Sequence, residues 1–139
     1  MPTAEFAEKI RKEIIESGFD DRYRAGAYEF VLTGLDYYQT KLGEKRHVSG
    51  RELSKALLVF AHKQFGLMAK SVFDHWGVKT TGDLGCIVYN MIGIGLMGKQ
   101  PHDSLDDFYD VVDVEAAFEF MDTECVKIDK EFVRKMRGV

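Results

Sequence analysis

The sequence is poor in residues that cross-link or interrupt a chain, since its 139 residues include two cysteines and two prolines. Cys86 and Cys125 form neither a CxxC pair nor a cluster with metal-ligand spacing. This usage is typical of free thiols in a reducing compartment, and it predicts no bound metal. The prolines are Pro2 and Pro101, so the helices between them need not break for want of an N–H group.

Long apolar runs are lacking as well. A transmembrane helix needs about 20 apolar residues, whereas the longest candidate, 86–97, is shorter and contains Asn90. Residues 1–11 do not show the basic-then-apolar order of a signal peptide. We therefore expect a cytoplasmic protein with no membrane partner.

The composition is that of an ordinary globular protein. Hydrophobic residues make up 45% of the chain and charged residues 30%, and a chain of this length can bury a core without disulfides. Ten Phe, six Tyr and one Trp predict an aromatic-rich core. Our interpretation is a single helical domain at residues 1–125, followed by a basic amphipathic tail at 126–139.

Charge is distributed unevenly around the net value of −4. Residues 100–126 carry nine acidic residues and no lysine or arginine, whereas residues 127–139 carry five basic residues and two acidic ones. Such asymmetry bears on partners and self-association rather than on the fold.

Helical periodicity dominates the apolar pattern and predicts an all-α, compact bundle of five to seven helices. Short strands near Val111-Val112 and Ile128 stay an open alternative, and in a winged helix-turn-helix interpretation Lys99–Tyr109 would form a minor β wing. Ser49 and Glu52 form a capping box in which the glutamate reaches back, and Thr80 caps a later helix whose first turn holds Asp83. The predicted helices are Thr3–Ser17, Asp21–Lys41, one that opens at Ser49, Leu67–Trp76, Thr81–Met97 and Val114–Asp122.

The stretch 93–98 matches the G-x-G-x-x-G pattern of dinucleotide sites. Such a site needs a strand before the glycines and a helix after them. Here the preceding residues have helical period, and Pro101 follows too closely for a clean helix start. We interpret the glycines as the end of a buried helix and expect no cofactor.

Residues 67–97 also have the layout of a helix-turn-helix segment, with Thr81–Met97 as the recognition helix. Duplex binding needs lysine and arginine to neutralise phosphates. This helix has no basic residue and carries Asp83 in its first turn. The pattern therefore favours packing or protein contact over DNA reading.

The sequence shows no evident catalytic motif. In particular, no two histidines have the spacing that is typical of metal ligands. Weak candidates, if folding brought them together, are His47, Glu52, His62 and Asp83. Aspartates that would share one helical face follow in the acidic segment, without the order of a calcium loop; they are Asp103, Asp106, Asp107 and Asp110.

A mid-helix asparagine, Asn90, is a poor helix former, so we expect it to make a specific tertiary hydrogen bond or to face a partner. In the tail, apolar side chains share a face with basic residues around them, which suits docking on an anionic surface or a neighbouring subunit. The candidate partner-binding residues are Asn90, Lys130, Phe132, Arg134, Lys135 and Arg137.

Several short stretches together resemble the Minf family of uncharacterised bacterial proteins. They are Ala27–Val31, His47–Leu53, Phe65–Ala69, His75–Val78, Asp83–Gly85, Val88–Asn90 and Asp103–Phe108. The resemblance extends over residues 23–120 and leaves the basic tail outside. It implies a compact protein of the bacterial cytoplasm and supplies no catalytic residue.

These observations favour a non-enzymatic protein-interaction module, with a protein partner or self-association. One alternative is nucleic-acid or ribosome association through basic residues of the N-terminal half and the tail. Another is an enzyme that depends on a metal or on histidine and carboxylate groups.

Overall fold

The computed structural model describes residues 4–44, 46–100 and 103–124, and within these ranges it contains helices and no strand. The predicted all-α class is therefore confirmed. The strand predicted as an alternative at Val111-Val112 does not form, since these residues lie in a bend, and no strand forms in the described part of the predicted wing, residues 99–100 and 103–109. Ile128 and the tail at 126–139 lie outside the described residues.

The described helices follow the predicted order with shifted ends. Helix α1 continues as a π-helical turn, short 3₁₀ turns precede α4 and follow α5, and residues 114–124 form α6. The elements are α1 Ala4–Ile10 with its turn Arg11–Glu16, α2 Ala25–Leu42, α3 Gly50–Phe65, a turn at Gly66–Met68, α4 Ala69–Trp76, α5 Thr81–Gly93 and a turn at Leu105–Phe108.

The two predicted helix starts form, but their caps differ. At α5 the box is complete, because Thr80 accepts from the amide of Asp83 and Asp83 accepts from the amide of Thr80. At α3 the Ser49 Oγ accepts from the Glu52 amide at 3.2 Å. The predicted return bond from Glu52 is wrong, because its carboxylate accepts hydrogen bonds from Arg46 and Tyr38 instead.

Helix α5 lies at the centre of the packing, since none of its residues from Thr81 to Ile92 is exposed. Small residues let neighbours approach it closely: a Cβ on Gly85 would lie 2.6 Å from the Cβ of Phe108. The 3₁₀ turn at Leu105–Phe108 therefore packs directly on the backbone of α5.

Aromatic rings fill the space between α2, α3 and α4. The buried ring of Phe30 lies 5.4 Å from Phe60, 5.7 Å from Phe73 and 5.2 Å from Trp76, centroid to centroid. Phe118 of α6 joins the cluster edge-on to Phe73 at 5.2 Å. The predicted aromatic-rich core is confirmed, and tilted or edge-to-face pairs of this kind add about 0.5–1.5 kcal/mol each beyond the burial of apolar area.

The glycine-rich stretch 93–98 follows a helix, as predicted, and not a strand. The predicted end of that helix at Met97 is wrong, because α5 stops at Gly93 and Gly95 adopts a left-handed φ of 81°.

Among the described helices, none combines the length and the apolar content that crossing a bilayer requires.

Gly77 and Gly18 provide a matched test of the packing between α4 and the segment before α2. Both have positive φ values, 88° and 78°, so alanine would be strained at either position. A Cβ on Gly77 would also lie 2.3 Å from the carbonyl oxygen of Arg22, whereas a Cβ on Gly18 would meet nothing within 4 Å.

We expect Gly18→Ala to lower the free energy of unfolding by about 1 kcal/mol through strain alone. Gly77→Ala should lower it by about 3 kcal/mol or more, because the backbone must also move apart. Urea denaturation of the two variants measures the difference, and equal losses would contradict this packing.

Candidate functional site

One edge of α5 is polar and carries Asp83, Cys86 and Asn90 at helical spacing. The Asn90 Nδ2 donates to the Asp20 Oδ2 at 2.8 Å and to the Tyr28 hydroxyl at 3.0 Å. The tertiary hydrogen bond predicted for Asn90 is therefore confirmed. Nearer the start of α5, the hydroxyl of Tyr23 donates to the Asp83 Oδ1 at 2.5 Å.

The buried carboxylate of this network belongs to Asp20, whose side chain is 7% exposed. The backbone amide and the guanidinium of Arg22 donate to it, with the Nη2 lying 2.7 Å from the Oδ2. These hydrogen bonds hold the pKa of Asp20 at about 2, below its usual value of 3.8, because they favour the ionised form. Arg22 also lies over the ring of Tyr23 at 5.1 Å and beside the thiol of Cys86.

Both tyrosines of the network stay protonated. Burial raises the pKa of Tyr28 to about 12, and burial together with the bond to Asp83 raises the pKa of Tyr23 still further. The network of Asp20, Arg22, Tyr23, Tyr28, Asp83 and Asn90 (the α5 polar network) thus joins the segment before α2 to the central helix. Its groups donate and accept among themselves, which is the behaviour of a structural network.

The four catalytic candidates do not form one site. Asp83 belongs to the α5 polar network, whereas Glu52 accepts hydrogen bonds from Arg46 at the start of α3. The Nε2 of His47 lies 2.9 Å from the Asp103 Oδ1, and that of His62 lies 2.8 Å from the Asp122 Oδ1. Each candidate has its own partner, so the fold does not bring these four side chains together in one site.

The acidic residues after α5 also separate. The prediction that four aspartates share one helical face is wrong, because the turn at Leu105–Phe108 is short and Asp110 leaves it with a positive φ of 49°. Within the described ranges, no group of three or more His, Cys, Asp or Glu side chains is placed to hold a metal ion.

Two of the elements predicted for nucleic-acid binding, α5 and α1, make contacts within the fold, whereas the basic tail lies outside the described residues. A recognition helix must expose one face to a DNA groove, and α5 exposes none from Thr81 to Ile92. In α1 and its π-helical turn, Lys9, Arg11 and Lys12 each pair with a glutamate. Phosphate binding by this helix would have to displace those pairs.

A broad groove of about 670 Å³ runs along the outer face of α2 and is closed by α3 and by Trp76. Its aromatic lining is mixed in exposure, because Phe30 and Phe60 are buried whereas Tyr37, Phe65 and Trp76 are half-buried. We call this feature the aromatic groove. From α2 it takes residues at helical spacing, which are Gly26, Glu29, Phe30, Thr33, Asp36, Tyr37 and Thr40.

Gly26 permits the position of the indole, since a Cβ there would lie 2.7 Å from the Trp76 Nε1. The charged residues that line the groove are the carboxylates of Glu29 and Asp36, both exposed. At the other end, Lys41 and Lys63 lie over the Tyr37 ring at 5.7 Å and 5.6 Å. The groove thus combines an aromatic floor with an acidic edge.

Sequence reasoning missed this groove and Asp20. The α2 residues of the groove repeat at helical spacing, so the sequence indicates that they share one face of the helix. It does not show which apolar residues of that face a neighbouring helix covers. Asp20 lies two residues from Arg22, an adjacent pair of opposite charge. That signal is weak, because most such pairs are exposed.

We expect the contribution of Asp20 to the free energy of unfolding to depend on pH. Its pKa is lower in the folded protein than its ordinary value, so its stabilising contribution is present above about pH 4 and is lost as the pH falls towards 2. We expect Asp20→Asn to cost about 1–2 kcal/mol at neutral pH, discounted because Arg22 is largely exposed.

The difference between wild type and Asp20→Asn should shrink as the pH falls from about 4 to 2, because both side chains are then neutral. Urea denaturation across this range measures it, with Asp21→Asn at the exposed neighbouring position as the control. A difference that stays constant with pH would show that Asp20 is not the group that titrates.

Comparison with protein-family models, with curated proteins and with solved structures finds no match for this chain. The resemblance to the Minf family therefore stays a prediction from the sequence.

Proposed function

We propose that this chain is a non-catalytic interaction module of the bacterial cytoplasm, and that it binds a basic, apolar segment of a partner protein in the aromatic groove. The observation that carries the proposal is the groove itself, in which aromatic rings stay partly exposed on the face of a packed helix. Exposed apolar surface rimmed by polar residues is typical of interaction sites, and aromatic side chains dominate binding energy at such sites.

Charge selects the kind of partner. The lining carboxylates, Glu29 and Asp36, attract lysine or arginine and disfavour an acidic segment. Lys41 and Lys63 lie over the Tyr37 ring at one end of the groove, so the carboxylate of Glu29, two helical turns away on α2, sets the charge of the other end.

A segment of the required chemistry occurs in this sequence. Residues 130–137 read Lys-Glu-Phe-Val-Arg-Lys-Met-Arg and combine apolar and basic side chains. An eight-residue peptide of this sequence is therefore a suitable probe of what the groove accepts. The bacterial and cytoplasmic setting of the proposal derives from the sequence resemblance.

Fluorescence anisotropy with this peptide, labelled and added to the full chain, tests the proposal. We expect saturable binding, and we expect Asp36→Lys to weaken it by roughly 3- to 10-fold through loss of attraction and added repulsion. Glu5→Lys makes the same change of charge on the exposed face of α1, outside the groove, and should leave the affinity unchanged.

A peptide with Phe132, Val133 and Met136 replaced by serine keeps the charge and should lose most of the binding. Absence of binding up to about 1 mM peptide, or equal weakening by Asp36→Lys and Glu5→Lys, would overturn the proposal. Binding of RNA in place of the peptide, lost steeply as salt rises, would favour the nucleic-acid alternative.

A further inference from the structure

Helix α6 ends close to the aromatic groove. Its buried Phe118 ring lies edge-on to Phe73 at 5.2 Å, and Phe73 lies 6.1 Å from Trp76, which closes the groove. One turn later, the Asp122 Oδ1 lies 2.8 Å from the Nε2 of His62, which belongs to the last turn of α3. The chain that follows α6 therefore starts beside the end of α3.

The aromatic groove lies on the other side of the same turn of α3. The α3 residues that line it are Phe60, Gln64 and Phe65. Since His62 lies two residues from Phe60 and from Gln64, its side chain points to the opposite side of the helix. One helix width, about 10–12 Å, therefore separates the end of α6 from the groove.

The sequence after α6 is long enough to cross this distance. Residues 125–129, when extended, span about 17 Å, and the basic, apolar segment 130–137 follows them directly. A linker this short holds a segment near its site at an effective concentration on the order of 1 mM. A segment with a dissociation constant of about 0.1 mM would then fill the groove about ten times as often as it leaves it empty.

The path of the chain sets the end at which this segment enters. Phe65, in the last turn of α3, lies 6.0 Å from Phe30. Phe60, earlier in α3, lies 4.9 Å from Tyr37, further along α2. The linker therefore meets the groove at the Phe30 end, where Glu29 sets the charge, and the lysines over Tyr37 lie at the opposite end.

The segment has the residue pattern that this groove requires. In a helix its bases Lys130, Arg134 and Arg137 would share one face, because they follow one another at intervals of four and three residues. Its apolar side chains would share another face, and they are Phe132, Val133 and Met136. The first base, Lys130, comes directly after the linker and is therefore nearest to Glu29.

We propose that residues 130–137 dock in the aromatic groove of their own chain as a short amphipathic helix, and that a partner segment must displace them to bind. Lys130 then lies beside Glu29, and the apolar face packs on the aromatic rings. The segment thus acts as an intramolecular competitor, which lowers the apparent affinity of the groove for other basic, apolar segments. This inference rests on the proposed function, because it assigns a regulation to the same groove.

Trp76 is the only tryptophan of the sequence, so its fluorescence reports on the groove that it lines. Reversal of charge in the segment, by Lys130→Glu with Arg134→Glu, should increase quenching by the neutral quencher acrylamide about 2-fold over the wild-type full chain. Lys55→Glu with Lys99→Glu makes the same change of charge at exposed positions outside the groove and should leave the quenching unchanged.

A charge swap tests whether the segment lies in the groove or elsewhere on the protein. Glu29→Lys and Lys130→Glu should each expose the indole, and the two changes together should restore the wild-type quenching, because the pair is again opposite in charge. Glu5→Lys combined with Lys130→Glu alters charge in the same way away from the groove, so it should restore nothing.

The labelled peptide of residues 130–137 measures the competition. We expect it to bind the chain carrying Lys130→Glu and Arg134→Glu roughly 5- to 10-fold tighter than the wild-type chain, because the intramolecular competitor is weakened. Together with greater exposure of Trp76 and its reversal by the charge swap, this result supports the proposal.

Equal quenching and equal peptide affinity in the wild type and the charge-reversed chain overturn the intramolecular docking, while binding of the peptide to both still supports the proposed function. Absence of peptide binding to either chain overturns both. Protection of Trp76 that is lost on dilution of the protein from about 100 µM to 1 µM would show docking between copies of the chain, and it also contradicts the proposal.

Discussion

The burial of α5 on every side is the constraint on which the rest of this structure depends. A helix with no exposed face needs its polar side chains partnered within the protein, because an unpaired buried group, such as the Tyr89 hydroxyl of α5, costs about 1–3 kcal/mol. The hydrogen bonds of Asp83 to Tyr23 and of Asn90 to Asp20 and Tyr28 meet this requirement. They also fix the segment that precedes α2 against the central helix, and so set the direction in which α2 leaves.

Once α2 is fixed, its faces acquire different roles. One face carries Phe30 into the aromatic core, where rings from α3, α4 and α6 pack against each other. The neighbouring faces border the aromatic groove and a second, mainly apolar cavity lined by Leu35, Leu53 and Ile92. Both concave surfaces therefore belong to one rigidly placed helix, which is the kind of scaffold on which binding sites hold their geometry.

The ion pairs of the molecule do not contribute equally. Those of α1, such as Lys12 with Glu8, are exposed at both ends and are worth little. The pair of Arg22 with Asp20 differs, because the Asp20 carboxylate is buried and both of its oxygens accept hydrogen bonds from Arg22. The histidine–aspartate pairs, His47 with Asp103 and His62 with Asp122, tie the acidic segment to the start and the end of α3. Two of the acidic residues that follow α5, Asp103 and Asp122, thus help to hold the fold together.

The sequence by itself determined the helical class, the order of the helices and their starts at Ser49 and Thr80, because periodicity and capping are local and depend on residues within one turn of each other. It also determined that the glycines at 93–98 end a helix. Tertiary structure decided which groups meet: Asn90 with Asp20, Glu52 with Arg46 and Tyr38 in place of its own helix cap, and His47 with Asp103 in place of Asp83. It also decided that Tyr89 has no partner and that the Trp76 ring lies over Gly26. These outcomes depend on contacts between residues far apart in the chain, for which spacing along the sequence carries no information.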